Sequence, residues 1–405
     1  MKSINEIRSD FPILSRKIYN KPLVYFDNGA TTQKPKCVID ALNEVYMTYN
    51  GNIHRGIHYL SDLSSEAYEK AREDVKSYIN AGKKEEVIFT SGTTGSINGV
   101  AFSFGERYIN KGDEIIISHL EHHANIVPWQ LMCERKGATL KIIPINDAGE
   151  IIMGEYLKLL SSKTKLVAVS QVSNALGTIL PVRQIIEAAH SLNIPVLIDG
   201  AQGIQHGFTD VQALDCDFYV FSGHKIYGPT GIGVLYGKEK WLQELPPFAG
   251  GGDMVDKVTF EKTTFNELPF RFEAGTTNYT GAIGLSAALE YISGIGSENI
   301  ATWEKELLNY ATLRLSGIKG LKIYGTSEKK IPTISFLLNG IHPFDTGTIL
   351  DKMGIAVRTG THCAQPVMAY YGIDGTVRAS LCFYNTKEEI DKLALGIEKV
   401  NSMFL

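Results

Sequence analysis

The sequence predicts an α/β fold, with a mostly parallel sheet in a large domain and a smaller α+β domain at the carboxy-terminal end. From about residue 25 to 236, short apolar runs alternate with amphipathic stretches, as expected for strands and covering helices. Two long helical stretches follow, leading into a second group of strands and helices. We therefore expect a large domain over residues 20–285 and a small domain over residues 1–19 and 286–405.

The predicted elements follow from apolar runs and the turn residues that bound them. The turn-rich segment 246–254 predicts a loop near the site, followed by a hairpin strand over 255–264. The elements expected from the remaining pattern are strands at 87–90, 114–118, 140–144, 166–170, 194–199, 218–222, 233–236, 322–324 and 333–338, and helical or mixed stretches at 182–192, 283–293, 298–315, 344–353 and 387–402.

Composition limits the classes of partner. The 405 residues are 44% hydrophobic and carry a net charge of −4, without a long run of like charge, so neither nucleic acid nor a membrane surface is expected as a partner. The first ten residues are too polar for a secretory signal, which predicts a cytoplasmic location. The five cysteines are scattered without a Cys-x-x-Cys pair, so no disulfide framework or metal site is expected.

Two predicted strands end in an acid and an amine. The apolar run 217–225 ends at Lys225, and the run 194–199 ends at Asp199, with Gln202 close behind. Neighbouring parallel strands present such residues to one crevice. Pyridoxal phosphate (PLP) needs this pair, because a lysine binds its aldehyde and an acid keeps its ring nitrogen protonated. Alternatively, each residue alone reads as a solvated lysine or a strand-end cap.

Residues 89–95 (Phe-Thr-Ser-Gly-Thr-Thr-Gly) follow a predicted strand and open a helix. Backbone N–H groups and hydroxyls at the positive end of a helix bind phosphate. By itself the segment is more typical of a helix-capping turn. Agreement with a separate aldehyde-binding lysine favours the phosphate site.

A histidine pair stands in residues 121–125 (Glu-His-His-Ala-Asn). Histidines at a strand end could bind a metal, but no third ligand stands nearby in the sequence. An imidazole stacked on a cofactor ring and available for proton transfer is the favoured use.

Residues 358–363 (Arg-Thr-Gly-Thr-His-Cys) place Cys363 in a loop beside Arg358 and His362. Nearby cations favour the thiolate, which is the nucleophilic form, although a buried cysteine is often only a small apolar residue. Arg378 follows on a short segment; it could grip an α-carboxylate with two N–H groups, or form a surface ion pair.

Together these motifs resemble the class V aminotransferase family of fold-type I PLP enzymes, and within it the group II, SufS- or CsdA-type, cysteine desulfurases. The resemblance runs almost end to end. Its motifs are residues 25–32, 54–58, 89–95, 121–129, 199–202, 222–225, 272–278 and 358–363.

The resemblance implies a role for each matching residue. Lys225 would bind the cofactor aldehyde and move the α-proton of L-cysteine, and Cys363 would take the sulfur as a persulfide, leaving L-alanine. It also implies a homodimer with composite active sites, in which Thr277, His54 and Arg55 approach the neighbouring site. The other implied roles are cofactor binding by Asp199, Gln202, His122, Thr94, Ser222 and His224, and substrate binding by Asn174, Arg378 and Arg358.

The loop around Cys363 is short, as in the group II enzymes, and the resemblance to them implies a dedicated sulfur acceptor of the SufE or SufU kind. Two positions depart from known relatives: Thr361 replaces a frequent histidine, and Ala249 replaces a frequent glutamate. Three alternatives stay open: a selenocysteine lyase acting on L-selenocysteine, a kynureninase or transaminase that would not need Cys363, and a non-catalytic PLP-binding scaffold. Iron–sulfur cluster assembly is one destination for the sulfur.

Overall fold

The computed structural model of the protein describes residues 3–207 and 209–404, so residues 1, 2 and 405 of the predicted small domain lie outside the described part. The strands are β1 Lys17–Ile18, β2 Lys21–Pro22, β3 Val24–Tyr25, β4 Val87–Thr90, β5 Glu114–Ser118, β6 Thr139–Ile143, β7 Thr164–Ser170, β8 Val196–Asp199, β9 Phe218–Ser222, β10 Gly233–Gly237, β11 Val255–Val258, β12 Thr263–Phe265, β13 Leu321–Tyr324, β14 Thr333–Leu338, β15 Ile355–Ala356, β16 Arg358–Gly360 and β17 Thr376–Ser380. The α-helices are α1 Ile4–Ser9, α2 Lys36–Glu44, α3 Tyr59–Tyr78, α4 Thr93–Tyr108, α5 Val127–Lys136, α6 Met153–Leu159, α7 Val182–His190, α8 Val211–Leu214, α9 Glu239–Glu244, α10 Tyr279–Ile295, α11 Ser297–Ser316, α12 Pro343–Lys352, α13 Gln365–Tyr370 and α14 Lys387–Phe404.

The central sheet has the strand order β4-β10-β9-β8-β7-β5-β6. Strand β10 is antiparallel to both of its neighbours, and the pairs from β9 to β6 are parallel. Every residue of β8 and β9 is buried, which explains their uninterrupted apolar runs. Strands β4, β5 and β9 have the predicted bounds. Strand β8 begins two residues later than predicted, after Pro195, because proline has no N–H to donate to the ladder.

Polar residues stand where the parallel strands end. Thr90, Ser118, Ser170, Asp199 and Ser222 are the last residues of β4, β5, β7, β8 and β9. Parallel strands all end at the same edge of a sheet, and ligands bind outside that edge in open α/β sheets. The fold therefore brings the polar residues at the ends of five strands to one edge of the sheet.

A second sheet is antiparallel throughout and has the order β13-β14-β17-β16. Its core includes Phe336 and Val377 together with Leu393 from α14. The chain near the amino terminus also reaches this sheet, because Asp27 forms an isolated bridge with Ser380 of β17. Just before Asp27, β3 pairs with β15 in a separate two-stranded sheet. Residues 24–27 are thereby fixed next to the strand that carries Arg378.

The predicted division into domains stays a proposal. Two sheets with largely separate apolar clusters favour it. The predicted boundary at residues 285 and 286 falls inside α10, however, and Val24 and Phe26 pack with the core of the second sheet.

The segment after residue 254 forms a β11–β12 hairpin, as the sequence predicts. Phe260, at the turn of this hairpin, is fully exposed. Within residues 3–207 and 209–404, no helix combines the length and apolar character needed to cross a membrane.

Candidate active site

A cavity of about 210 Å³ lies between the carboxyl edge of the central sheet and the loop that follows β16. Ten of the fourteen site residues expected from the sequence line it. They are Thr94, His122, Asn174, Asp199, Ser222, His224, Lys225, Arg358, Cys363 and Arg378.

Lys225 and Asp199 line the cavity from two neighbouring strands. Lys225 follows β9 on a single turn of 3-10 helix, and Asp199 ends β8, where its Oδ1 accepts a hydrogen bond from the Ala201 N–H at 2.9 Å. Burial lowers the pKa of Lys225, and the Asp199 carboxylate opposes that effect. Burial likewise raises the pKa of Asp199, against the charge of Lys225. The charge of each group thus stabilises the ionised form of the other.

His122 lines the cavity as a neutral imidazole. Burial, with the neighbouring Lys225 ammonium, lowers the pKa of His122 to about 3. Its Nδ1 accepts a hydrogen bond from the Ala124 N–H at 3.0 Å, which assigns the proton of the neutral ring to Nε2. Behind it, Glu121 accepts a hydrogen bond from the Ser170 N–H at 3.0 Å and joins the ends of β5 and β7. The ring is therefore fixed in orientation and available to lie against a planar group.

One end of the cavity is built for an anion. Helix α4 begins at Thr93, after Gly92, whose φ of +136° requires glycine. Ser222 Oγ accepts a hydrogen bond from the Thr93 N–H at 2.8 Å and lies 2.9 Å from Thr93 Oγ1. Burial lowers the pKa of His224 to about 4, so its neutral ring can still donate one N–H. Hydroxyls, a helix N-terminus and an imidazole together suit a phosphate.

At the other end, Arg378 and Asn174 present unused polar atoms. Arg378 is 2% exposed; its Nη1 donates to the Asn174 carbonyl oxygen at 2.8 Å. In the part of the chain that the structure describes, buried Arg378 Nε and Asn174 Oδ1 have no hydrogen-bond partner. Buried polar atoms of this kind are costly unless a ligand satisfies them. A ligand carboxylate and amine would do so.

The loop that carries Cys363 is held in an unusual backbone conformation. His362 and Cys363 have φ values of +54° and +55°, which are uncommon for residues other than glycine. The Asn174 Nδ2 donates to the His362 carbonyl oxygen at 2.6 Å and fixes the loop against the central sheet. Cys363 stays partly accessible at the cavity wall.

One expectation about the thiol environment is wrong. The sequence placed His362 among the cations near Cys363, but burial, with the charges of Arg378 and Arg358, lowers the pKa of His362 to about 3. The imidazole is therefore neutral near pH 7, and its Nε2 lies 2.8 Å from Thr376 Oγ1. The cations that line the cavity with Cys363 are Lys225, Arg358 and Arg378.

Four expected site residues do not line the cavity. Gln202 is buried behind it, with its Nε2 donating to the Gly29 carbonyl oxygen at 2.7 Å. Thr277 is partly buried, and His54 packs edge-on against aromatic rings at the surface. Arg55 pairs with Asp253 at 2.5 Å.

Five residues that line the cavity had been given no role in the site by the sequence. The segment before α2 is the informative one, since a Cβ on Gly29 would lie 3.2 Å from Arg378 Cζ, so the close approach needs glycine. The motif 25–32 was visible in the sequence, but nothing in it indicates contact with a strand 350 residues away. The five are Gly29, Ala30, Thr93, Ala124 and Ala201.

A protein-family model described as Aminotransferase class-V matches residues 24–393. The chain belongs to the aminotransferase class-V family. The resemblance and the fold class predicted from the sequence are confirmed.

This class V chain is 53% identical over 399 residues to a cysteine desulfurase of Synechococcus elongatus, covering 98% of the chain and 64% of that protein. It thus spans less than two thirds of that relative. It is 50% identical over 402 residues to the Escherichia coli O9:H4 cysteine desulfurase, covering 99% of each. The crystal structure of the Escherichia coli cysteine desulfurase CsdA in its S-sulfonic acid form superposes with a TM-score of 0.93 at 38% identity, covering 100% of this chain and 99% of that one.

Proposed function

We propose that this class V enzyme is a PLP-dependent cysteine desulfurase, which converts L-cysteine to L-alanine and passes the sulfur on from Cys363. The observation that supports it best is that Lys225, Asp199, Cys363 and Arg378 line one cavity of about 210 Å³. Cysteine desulfurases about 50% identical to this chain support the same activity.

The residues of the cavity fit PLP. When bound, the cofactor supplies an electron sink for the α-carbon of an amino acid. Lys225 would hold its aldehyde, Asp199 its ring nitrogen, and His122 would stack on the ring. Gln202, whose Nε2 contacts the Gly29 carbonyl oxygen, would form a hydrogen bond with the phenolic oxygen of the cofactor. The phosphate would lie at the start of α4, with Thr94, Ser222 and His224.

The substrate's α-carboxylate would pair with Arg378, whose Nε is buried and unpartnered within the described residues. Asn174 Oδ1, also buried and unpartnered there, would accept a hydrogen bond from the substrate's amine. This places the side chain of the amino acid toward Arg358 and Cys363. Two cationic side chains here suit an anionic substrate group and a thiolate nucleophile.

Lys225 moves the proton from the α-carbon, because a depressed pKa makes its amine available as a base. Cys363 Sγ, as the thiolate, then attacks the substrate sulfur. The carbon–sulfur bond breaks as the sulfur–sulfur bond forms, and its electron pair stays with the carbon fragment. After protonation that fragment leaves as L-alanine, and Cys363 holds a persulfide whose outer sulfur passes to an acceptor thiol.

A homodimer with composite sites belongs to the same proposal. His54, Arg55 and Thr277 would then serve the neighbouring subunit's site, since they do not line the cavity of their own chain. Exposed apolar side chains next to this region favour a covered surface; they are Tyr46, Met47, Ile57 and Tyr59.

The acceptor would be a small protein of the SufE or SufU kind, serving iron–sulfur cluster assembly in the cytoplasm. The described cysteines are all free thiols, which favours a reducing compartment. Thr361 and Ala249 would alter the surface that such an acceptor meets.

The test is a reaction of the PLP-loaded protein with L-cysteine and dithiothreitol, with L-alanine and sulfide measured together. Equal amounts of both products are expected, and both should be lost in Cys363→Ala. The exposed cysteine variant Cys37→Ala is the matched control and should react like the wild type. Turnover that persists in Cys363→Ala would refute the persulfide step, and a PLP spectrum without alanine would refute the desulfurase.

A further inference from the structure

We propose that the imidazole of His123 is a positioning group for the sulfur-transfer step: it holds the loop that carries Cys363, and through that loop it directs the thiol toward the substrate. The inference rests on the proposed function, which makes Cys363 the acceptor of the substrate's sulfur. His123 is not among the described residues that line the cavity, so it acts through the loop.

The loop needs support from outside because its backbone is strained. The Thr361 carbonyl oxygen accepts a hydrogen bond from the Ala364 N–H at 2.9 Å, which closes a four-residue turn. The two central residues, His362 and Cys363, have φ values of +54° and +55°. Positive φ at both positions is the pattern of a type I′ turn, which glycine, asparagine and aspartate favour. Histidine and cysteine keep this conformation only where surrounding groups hold it.

Side chains from distant segments bind the backbone on both sides of Cys363. Before it, the Asn174 Nδ2 donates to the His362 carbonyl oxygen at 2.6 Å. After it, the His123 Nε2 accepts a hydrogen bond from the Gln365 N–H at 3.3 Å. The main-chain N–H of His123 also donates to the Cys363 carbonyl oxygen at 2.8 Å. His123 thus contacts the chain at two of the three residues from 363 to 365.

The bond to Gln365 replaces a helix cap. Gln365 is the first residue of α13, and the first N–H groups of a helix have no partner within it. The preceding residue, Ala364, has no side-chain acceptor. The imidazole of His123 supplies one from a separate segment and so fixes the start of α13, two residues after Cys363.

This bond should affect the position of the thiol. Attack of one sulfur on another depends on the placement of both atoms, and a small displacement slows it. Binding of the amino acid depends instead on Lys225, Asp199 and Arg378 in the proposed function. The neighbouring His122 lines the cavity, and its ring centroid lies 6.2 Å from that of His123. A change confined to the His123 imidazole should therefore slow sulfur transfer and leave amino acid binding unchanged.

The variants separate the hydrogen bond from the shape of the ring. His123→Phe and His123→Leu remove the acceptor with side chains of different size, and both keep the main-chain bond to Cys363. His123→Gln retains an acceptor oxygen of similar reach. His342→Phe is the matched control, because the His342 Nδ1 accepts a hydrogen bond from the Phe344 N–H at 3.2 Å, at the start of α12 and outside the cavity.

Each protein, loaded with PLP, is mixed with L-cysteine in the absence of a reductant, and the rate of L-alanine formation is measured over the first turnover. The dissociation constant of L-alanine is measured from the absorbance of the cofactor, and amide hydrogen exchange is measured on the peptide 361–370. In His123→Phe and His123→Leu, the first-turnover rate should fall about three- to tenfold and exchange of the loop should rise, while the L-alanine constant stays within about twofold. His123→Gln should retain at least about half of the wild-type rate.

A wild-type first-turnover rate in both His123→Phe and His123→Leu would overturn the proposal, and so would an equal loss of rate in His123→Gln. An L-alanine constant that rises in proportion to the loss of rate would also overturn it, because the residue would then act on the cofactor site. Failure of the wild type to form L-alanine from L-cysteine would refute the proposed function instead. Hydrogen exchange of the loop, which needs no turnover, would then decide whether the imidazole holds it.

Discussion

The backbone N–H of His123 donates a hydrogen bond to the carbonyl oxygen of Cys363 at 2.8 Å. His123 follows the cavity-lining His122 after β5, and Cys363 belongs to the loop after β16. The bond therefore joins the turn expected to cover the cofactor ring to the residue expected to take the sulfur. A side-chain hydrogen bond, from Asn174 Nδ2 to the His362 carbonyl oxygen, holds the same loop.

Asn174→Ala should lower kcat/KM for L-cysteine by about 10- to 100-fold, because the variant loses a bond to the loop and an amide aimed into the cavity. Steady-state kinetics measure it. Asn401→Ala, which removes an exposed amide-to-carbonyl bond on α14, is the control. Wild-type kcat/KM in Asn174→Ala would contradict the role of this amide.

Lys225→Ala should abolish alanine release and the covalent attachment of the cofactor. Borohydride reduction followed by peptide mass spectrometry should locate the cofactor on Lys225 in the wild type and on no lysine in the variant. Lys34→Met is the control, since burial lowers the pKa of Lys34 to about 7 and makes it the rival amine. A reduced adduct on Lys34 in the wild type would refute the assignment.

The stability contribution of Glu121 should depend on pH. Burial raises the pKa of Glu121 to about 7, from an ordinary 4.5. Between these values the folded protein binds more protons than the unfolded chain, so its free energy of unfolding falls as pH rises through this window. The stability of Glu121→Gln relative to the wild type should thus increase by up to about 3 kcal/mol from pH 4.5 to pH 8.

Chemical denaturation at several pH values tests this prediction. Glu66→Gln, at an exposed carboxylate on α3, should follow the wild type throughout. A constant difference between Glu121→Gln and the wild type across the range would contradict it.

Glu273→Gln should reduce the free energy of unfolding by about 3 kcal/mol, because buried Arg72 would lose its shortest ion pair and keep the partly exposed Glu69, at 3.3 Å, as its acidic partner. The Arg72 and Glu273 side chains are 0% and 3% exposed, with Nη1 and Oε1 2.7 Å apart. Glu273 also accepts hydrogen bonds from Tyr68 Oη and the Phe89 N–H.

Urea unfolding measures this loss, with Asp40→Asn as the control. Asp40 pairs with Lys36 at the surface, so its loss should cost less than about 1 kcal/mol. Equal effects of the two variants would show that burial does not decide the strength of the Arg72–Glu273 pair.

The strands that present the cavity residues could be predicted because they are buried on both faces. Strand β9 reads as an uninterrupted apolar run, and the first polar residue marks its end at Ser222. The same reasoning located Asp199 at the end of β8. Local sequence therefore predicts which residues stand at the sheet edge.

Contacts between distant segments could not be predicted in this way. Asp27 and Arg378 are 351 residues apart, and nothing in the sequence around either residue indicates that the two are in contact. The neutral state of His362 likewise depends on burial by tertiary packing, which no local pattern reports. Such pairs become visible only when the two sheets are placed together.

Strand β10 runs back beside β9, so Lys225 stands in the connection between two hydrogen-bonded strands. Gly223 on one side donates its N–H to the Ile232 carbonyl oxygen on the other at 2.9 Å. The Ile226 and Gly228 N–H groups also donate to the Gly223 carbonyl oxygen, at 3.0 and 2.9 Å, so displacing the lysine backbone would break hydrogen bonds of this turn. Proton movement by Lys225 is thus left to rotation about its side-chain bonds, with the backbone of the turn held in place.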